Sequence, residues 1–176
     1  MNKKNNTLLI VFLFVNFCFS QTKEETIDWI TEETRSHSGY NKNYSEFSNY
    51  FIREGNTVII KQDFEIYNGE IKSKFESIIP VKSITSIKVS QYQNSDTTNQ
   101  YNNSIVFELN CKVECVKNSS FDGDGKIKKQ FTSNEFYLRI DNQDMTLKNR
   151  IPKALLHLIK LCGGNAKLES VKKDIF

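Results

Sequence analysis

Ile105-Val106-Phe107-Glu108-Leu109-Asn110-Cys111-Lys112-Val113-Glu114-Cys115-Val116 is the stretch that decides the fold class. Every second residue from Ile105 to Cys115 is apolar, while the positions between include Glu108, Asn110, Lys112 and Glu114. Side chains alternate across a strand, so this period of two predicts one face in a core and one in water. It places Cys111, Val113 and Cys115 inside. At a rise of ~3.3 Å per residue the two cysteines stand about 13 Å apart, too far to bridge while the strand is extended. A bridge from either one to Cys162 is conceivable. Three free thiols, packed as small apolar side chains, is the reading preferred.

Working back toward the N-terminus, the same period governs Val58, Ile60, Phe64 and Ile66, with Lys61, Asp63 and Glu65 on the other face. Asn68-Gly69 then predicts a hairpin, because both residues accept the positive φ of a type I′ turn. The returning strand carries Ile71, Phe75 and Ile79 and stops at Pro80, which cannot donate to a ladder. A shorter strand is expected over Ile84–Tyr92, followed by a polar loop from Gln93 to Asn103. Working forward, Phe121-Asp122-Gly123-Asp124-Gly125-Lys126 reads as a turn. Ile127 to Ile140 reads as one interrupted strand or two short ones. Its inward set shifts from Ile127 and Phe131 to Phe136, Leu138 and Ile140, which implies a bulge or break near Ser133-Asn134.

Helices flank this strand region. Thr22 and Glu25 have capping-box spacing, and Ile27, Ile30 and Thr34 follow at helical intervals with Trp29 beside them. Glu25, Asp28, Glu32 and Glu33 take the opposite face, and a polar loop is expected over Ser36–Asn43. A second helix is expected from about Asn149 to Cys162, with an apolar stripe of Ile151, Leu155, Leu158 and Cys162. Pro152 belongs in its first turn, where no N–H is needed. Gly163-Gly164 stops it, and Asn165–Phe176 is expected to be a short helix or a frayed tail. The fold class is therefore α+β: a helix, six or seven antiparallel strands in a sheet or partly open barrel, and a closing helix. One domain over residues 21–164 is the economical division.

Two segments carry a resemblance. Ile78-Ile79-Pro80-Val81-Lys82-Ser83-Ile84-Thr85-Ser86-Ile87 is similar to the step between strands in pleckstrin-homology-like (PH-like) and GRAM-like domains. Arg150-Ile151-Pro152-Lys153-Ala154-Leu155-Leu156-His157-Leu158-Ile159 resembles their closing helix. The likeness spans roughly residues 45–162, and the N-terminal helix is an addition to that plan. It implies a scaffold that binds proteins or lipids. Glu54-Gly55-Asn56, in the first hairpin loop, lacks the basic cluster of phosphoinositide binders.

The first twenty residues read as an export signal. Lys3 and Lys4 precede an apolar run over Leu8–Val15 that Phe17–Phe19 extends, and polar sequence begins at Gln21. The run is shorter than the roughly 20 residues a bilayer span takes, and Cys18 and Ser20 suit the −3 and −1 places of a cut before Gln21. A buried helix or retained anchor is the alternative. Lipidation at Cys18 is another, although Val15-Asn16-Phe17 is a poor lipobox. Of 24 basic and 21 acidic residues, the cut removes two lysines and no acid, so 156 of the 176 residues remain with a charge of +1. That is no field for nucleic acid, and no second apolar run suggests a membrane span. The expected location is the periplasm or outside the cell.

Chemistry is sparsely signalled. Asp122-Gly123-Asp124-Gly125-Lys126-Ile127 looks like part of an EF-hand loop, but Phe131 falls where the bidentate carboxylate is needed and the flanks are strand-like, so a plain turn is preferred. His37, in a polar loop, and His157, near the exposed side of the last helix, have no spaced partner for zinc or catalysis. Buried strand thiols such as Cys111 and Cys115 are inert unless a neighbouring base activates them. Tyr40, Tyr44, Phe47, Tyr50 and Phe51 form either an aromatic platform for a ligand or, as preferred, strand packing. Lys126, Lys128, Lys129, Lys172 and Lys173 read as solvated surface with at most a weak attraction to anionic lipid. No catalytic residue, metal ligand or cofactor is expected. The function expected is an exported binding or interaction module of the bacterial envelope, with another envelope protein or a lipid surface as partner. The alternatives are a carrier of lipid or a small apolar ligand, and a small envelope enzyme with an unrecognised site.

Overall fold

The structure is a computed structural model and describes residues 21–37, 45–55, 57–68, 71–93, 103–141 and 143–169. The expected export segment 1–20, most of the loops expected over Ser36–Asn43 and Gln93–Asn103, Gly69 of the Asn-Gly turn and residues 170–176 of the expected tail lie outside it. So do the side chains of Phe47, Phe64, Ile66 and Ile71. Among the described residues are two helices and nine strands in two sheets, an α+β arrangement without a closed barrel. No described helix is long and apolar enough to cross a membrane.

Helix α1 (Lys23–Ser36) starts as its sequence dictates. Thr22 Oγ1 accepts from the Glu25 amide at 3.1 Å, and Glu25 Oε2 accepts from the Thr22 amide at 2.8 Å. Two of the amides that every helix start leaves free are thereby satisfied. The chain then forms β1 (Ser45–Glu54), β2 (Thr57–Asn68) and β3 (Ile71–Pro80) as an antiparallel meander. Pro80 ends β3, and a single 3₁₀ turn, Val81–Ser83, carries the chain into β4 (Ile84–Gln93) of the second sheet. There β4 pairs with β5 (Asn103–Cys111), from Ile84 opposite Cys111 to Gln93 opposite Asn103.

The long strand expected through Val116 does not exist. It ends at Cys111, residues 112–115 turn, and β6 (Val116–Phe121) belongs to the first sheet beside β3. The turn brings the Cα atoms of Cys111 and Cys115 to 6.4 Å, and the two form a disulfide. Both the expectation that they cannot bridge and the preference for three free thiols are corrected: the distance argument assumed an extended backbone that this corner abandons. Side-chain parity resets with it. Val113, expected inside, is 76% exposed, and Val116, expected outside, is fully buried.

β6 pairs with β7 (Ile127–Ser133), and the chain breaks at Asn134 before β8 (Glu135–Asp141) joins β5 in the second sheet. The break lies where the parity change placed it, but it is a sheet crossing. Because β7 sits at an edge outside the core, Ile127 and Phe131 are 57% and 51% exposed, against the expectation that both point inward. Phe136, Leu138 and Ile140 are buried as expected. The three crossings gather at one end: Ile84 is opposite Cys111, and the Cys111 amide donates to the Asn134 carbonyl at 3.0 Å.

Helix α2 (Leu147–Leu161) begins two residues earlier than expected, so Pro152 lies inside it and not in its first turn. That first turn is tight: the Leu147 amide donates to Asp144 and the Asn149 amide to Thr146, three residues back in each case. Pro152 is itself buried on the face that includes Leu147, Ile151, Leu155, Leu158 and Ile159. Gly163 (φ +78°) ends the helix; its amide reaches Lys160 O and that of Gly164 reaches Ile159 O, the paired bonds of a Schellman cap. The next residues are not a frayed tail. Lys167–Glu169 form β9, parallel to Ser86–Lys88 of β4. The sheets run β1-β2-β3-β6-β7 and β8-β5-β4-β9.

One core fills the space between them. Val58, Ile60 and Ile79 from the first sheet meet Ile87, Ile105, Phe107, Leu109, Phe136, Leu138 and Ile140 from the second, with α2 and Ile30 of α1 packed on the same cluster. At the margin Gln62 of β2 is buried and its Nε2 donates to Asn49 Oδ1 and to the Tyr137 carbonyl of β8, both at 3.0 Å. A buried polar side chain of an interior strand thus ties the two sheets together.

Candidate ligand groove between the helices

The two helices, far apart in sequence, pack against each other. Ile30 anchors α1 in the core, which leaves Trp29 partly buried at the seam facing α2. On α2, Arg150, Lys153 and His157 recur at intervals of three and four, one side of a helix adjacent to its buried stripe. Together with Ala154 and Gln21 they line an open groove of ≈350 Å³.

Arg150 and His157 each have an identifiable restraint. The Arg150 guanidinium lies over the Trp29 ring, 5.0 Å from its centroid, where the ring quadrupole attracts the cation. Its Nη2 is 3.4 Å from Glu33 Oε1 and its Nη1 3.8 Å from Asp144 Oδ2. Asp144 is itself held below the ordinary carboxylate range, first by the Thr146 hydroxyl and amide and less by Arg150. His157 Nε2 lies 3.1 Å from the Gln21 carbonyl oxygen, which can only accept, so Nε2 carries the hydrogen. Lys153 has no acidic partner among the described residues. The groove therefore offers a guanidinium over an indole and an ammonium without a described acidic partner, components that bind a carboxylate or phosphate group. Beside them is an imidazole whose N–H is already given to Gln21.

The residues weighed from sequence are placed elsewhere, His157 excepted. His37 caps α1, its Nδ1 3.0 Å from the Glu33 carbonyl oxygen and its own carbonyl accepting from the Asp141 amide at 2.8 Å. The Asp122 loop is a self-contained turn. Asp122 Oδ1 accepts from the Asp124 and Lys126 amides at 3.1 and 2.8 Å, and Gly125 takes φ +78°. One carboxylate oxygen of Asp122 is thus taken by the backbone, and no group of three metal-ligating side chains occurs among the described residues. Of the aromatic cluster, Phe51 packs against the core and Tyr50 is largely exposed; Tyr40 and Tyr44 lie outside the described residues. Lys126, Lys128 and Lys129 are exposed, with Lys129 Nζ 5.3 Å from the centre of the Phe131 ring. Cys162 is a half-buried free thiol whose pKa burial pushes up, with Lys23 pulling weakly the other way. Trp29, Arg150 and Lys153 were not singled out by sequence reasoning. A helical wheel would have put Arg150, Lys153 and His157 on one side, but nothing local pairs them with a tryptophan 121 residues away in the chain.

Comparison of the chain with protein-family models, with curated proteins and with solved structures finds no match in any of the three.

Proposed function

We propose that this protein is an exported binding module of the bacterial envelope that holds an anionic group in the groove between its two helices. The observation that carries the reading is the convergence of Arg150, Lys153 and His157 on the wall formed by Trp29. In a mature chain of nearly balanced charge, Arg150 and Lys153, the latter unpaired among the described residues, put two cations on one small surface, a local site and not part of a general field. Contact with the indole restrains the guanidinium, which spares an incoming anion part of the cost of ordering it. Glu33 is a weak internal competitor for Arg150, at a distance that a closer ligand oxygen would supplant.

Export is supported by the charged, apolar and polar order of residues 1–25 and by the Cys111–Cys115 disulfide, a bond that persists in oxidising compartments. A PH-like plan is supported by the Pro80 crossing between the sheets and by the terminal helix packed over the core. The β6–β7 hairpin, which rejoins the first sheet, and β9 depart from it.

Trp29 is the single tryptophan of the chain, so its fluorescence reports the groove alone. Titration with inorganic phosphate and with acetate is expected to change that emission saturably, and Arg150→Gln to weaken the response about tenfold or more, the loss of one charge-assisted hydrogen bond. Unchanged emission at any anion concentration that leaves the fold intact would end the anion-binding reading. The intact mass of the protein from the envelope fraction tests export separately: it is expected to match a start at Gln21.

A further inference from the structure

The groove has a neighbour of different chemistry. On α2, steps of 100° place Lys148 and Asn149 on one flank and Arg150, Ala154 and His157 on the other, with Lys153 on the ridge between them. Lys153 accordingly lines both the cationic groove and a second hollow of ≈280 Å³. The far walls of that hollow are Val89 of β4 and Leu168 and Glu169 of β9. Leu168 is half exposed although it is a large apolar side chain on a three-residue edge strand. Lys148, the other cation there, is turned to Gln91, with Nζ 3.3 Å from Oε1.

We infer that the ligand is an anionic amphiphile, a single acyl chain with a carboxylate or phosphate head. The inference rests on the anion-binding reading above. The head is held by Arg150 and Lys153, and the chain crosses the aliphatic stem of Lys153 onto Val89 and Leu168. A lysine suits the ridge because its methylenes can line an apolar path while its ammonium turns to the head group. Glu169 favours one direction: a carboxylate on the wall of this hollow repels an anionic head, which leaves the head to the cationic groove and the hollow to the tail. A neutral amphiphile would leave the Lys153 ammonium unpaired. A cationic one would be repelled by all three nitrogen groups when His157 is protonated and by two when it is not.

Calorimetric titration of the protein as isolated, with butanoate, octanoate, dodecanoate, dodecyl phosphate, dodecyltrimethylammonium and inorganic phosphate, each below its micellar concentration, tests this. Affinity is expected to rise roughly three- to fourfold per methylene until the hollow is filled. A lead of dodecyl phosphate over dodecanoate would identify a lipid phosphate as the source of the head, and the reverse order a free fatty acid. Leu168→Asn, a neutral polar change, is expected to cut dodecanoate affinity at least tenfold and to leave inorganic phosphate binding unchanged, with circular dichroism confirming the fold. If phosphate binds but butanoate and dodecanoate are equivalent, the amphiphile is refuted and the anion site stands. If no anion binds, both fall. Equal binding of dodecyltrimethylammonium, or dodecanoate binding untouched by Leu168→Asn, would also overturn the proposal.

Discussion

Replacing Gly164 with alanine tests the packing of the sheet crossing against the helix end. A Cβ built there lies 2.7 Å from the Lys82 carbonyl oxygen, 3.0 Å from Lys82 Cα and 2.8 Å from Ile159 Cγ2. Two of these atoms are backbone of the 3₁₀ turn that carries the chain between sheets, and the third belongs to a buried core side chain. None can yield by swinging a flexible end away. The methyl group must therefore push α2 off the turn, and overpacking of this kind costs about 1–3 kcal/mol. Three simultaneous contacts at or below 3.0 Å place Gly164→Ala at the upper end of that range. Gly163→Ala is the control, since its Cβ meets nothing within 4 Å but its φ of +78° is strained for alanine; about 1 kcal/mol is expected. Urea unfolding curves with a shared slope give both values. Equal losses, or a Gly164→Ala loss below that of Gly163→Ala, would refute the close approach.

Other outcomes follow from the same geometry. Reducing the Cys111–Cys115 disulfide, which closes a five-residue loop, is expected to cost about 2 kcal/mol on the chain-entropy relation; unfolding with and without reductant measures it. Lys61→Met leaves Asp63 and Glu76 directly opposed across β2 and β3 without the ammonium that reaches Glu76 at 2.7 Å and Asp63 at 3.7 Å, a loss of about 1 kcal/mol. The pKa of Lys61 is raised, chiefly by its bond to Glu76, so its contribution is complete below the unfolded value of 10.5 and is lost as pH climbs through the higher folded value. Stability measured at pH 7 and pH 11 should therefore differ more in the parent protein than in the variant. Phe131→Ala should stay within roughly 0.5 kcal/mol, whereas Phe136→Ala, fully inside the core, should lose about 3–5 kcal/mol; similar losses would put β7 back in the core.

What could be read from the chain was what local physics determines. The Thr22–Glu25 cap, the Pro80 stop, the Asp122–Lys126 turn and the Gly163-Gly164 helix end each depend on a few consecutive residues, and each is found in place. Alternation misled at Cys111 because a period of two continues unbroken through Lys112-Val113-Glu114 while the backbone turns a corner there. Only the partner strands, β4 on one side and β3 on the other, define that corner. β7 misled for a related reason: Ile127 and Phe131 have strand periodicity, but periodicity cannot tell a core strand from an edge strand beyond the core. β9 is three residues long and has no pattern at all. The groove was half legible. The cations follow helical spacing on α2, whereas Trp29 joins them only because both helices pack on one hydrophobic cluster.

Amide chemical-shift mapping of the isotope-labelled protein with inorganic phosphate addresses the anion site most directly. Saturable shifts are expected at Trp29, including its indole N–H, and at Arg150, Lys153, Ala154 and His157, with Lys126, Lys128 and Lys129 unmoved. Shifts centred on the β6–β7 hairpin, or spread evenly over surface lysines, would contradict it.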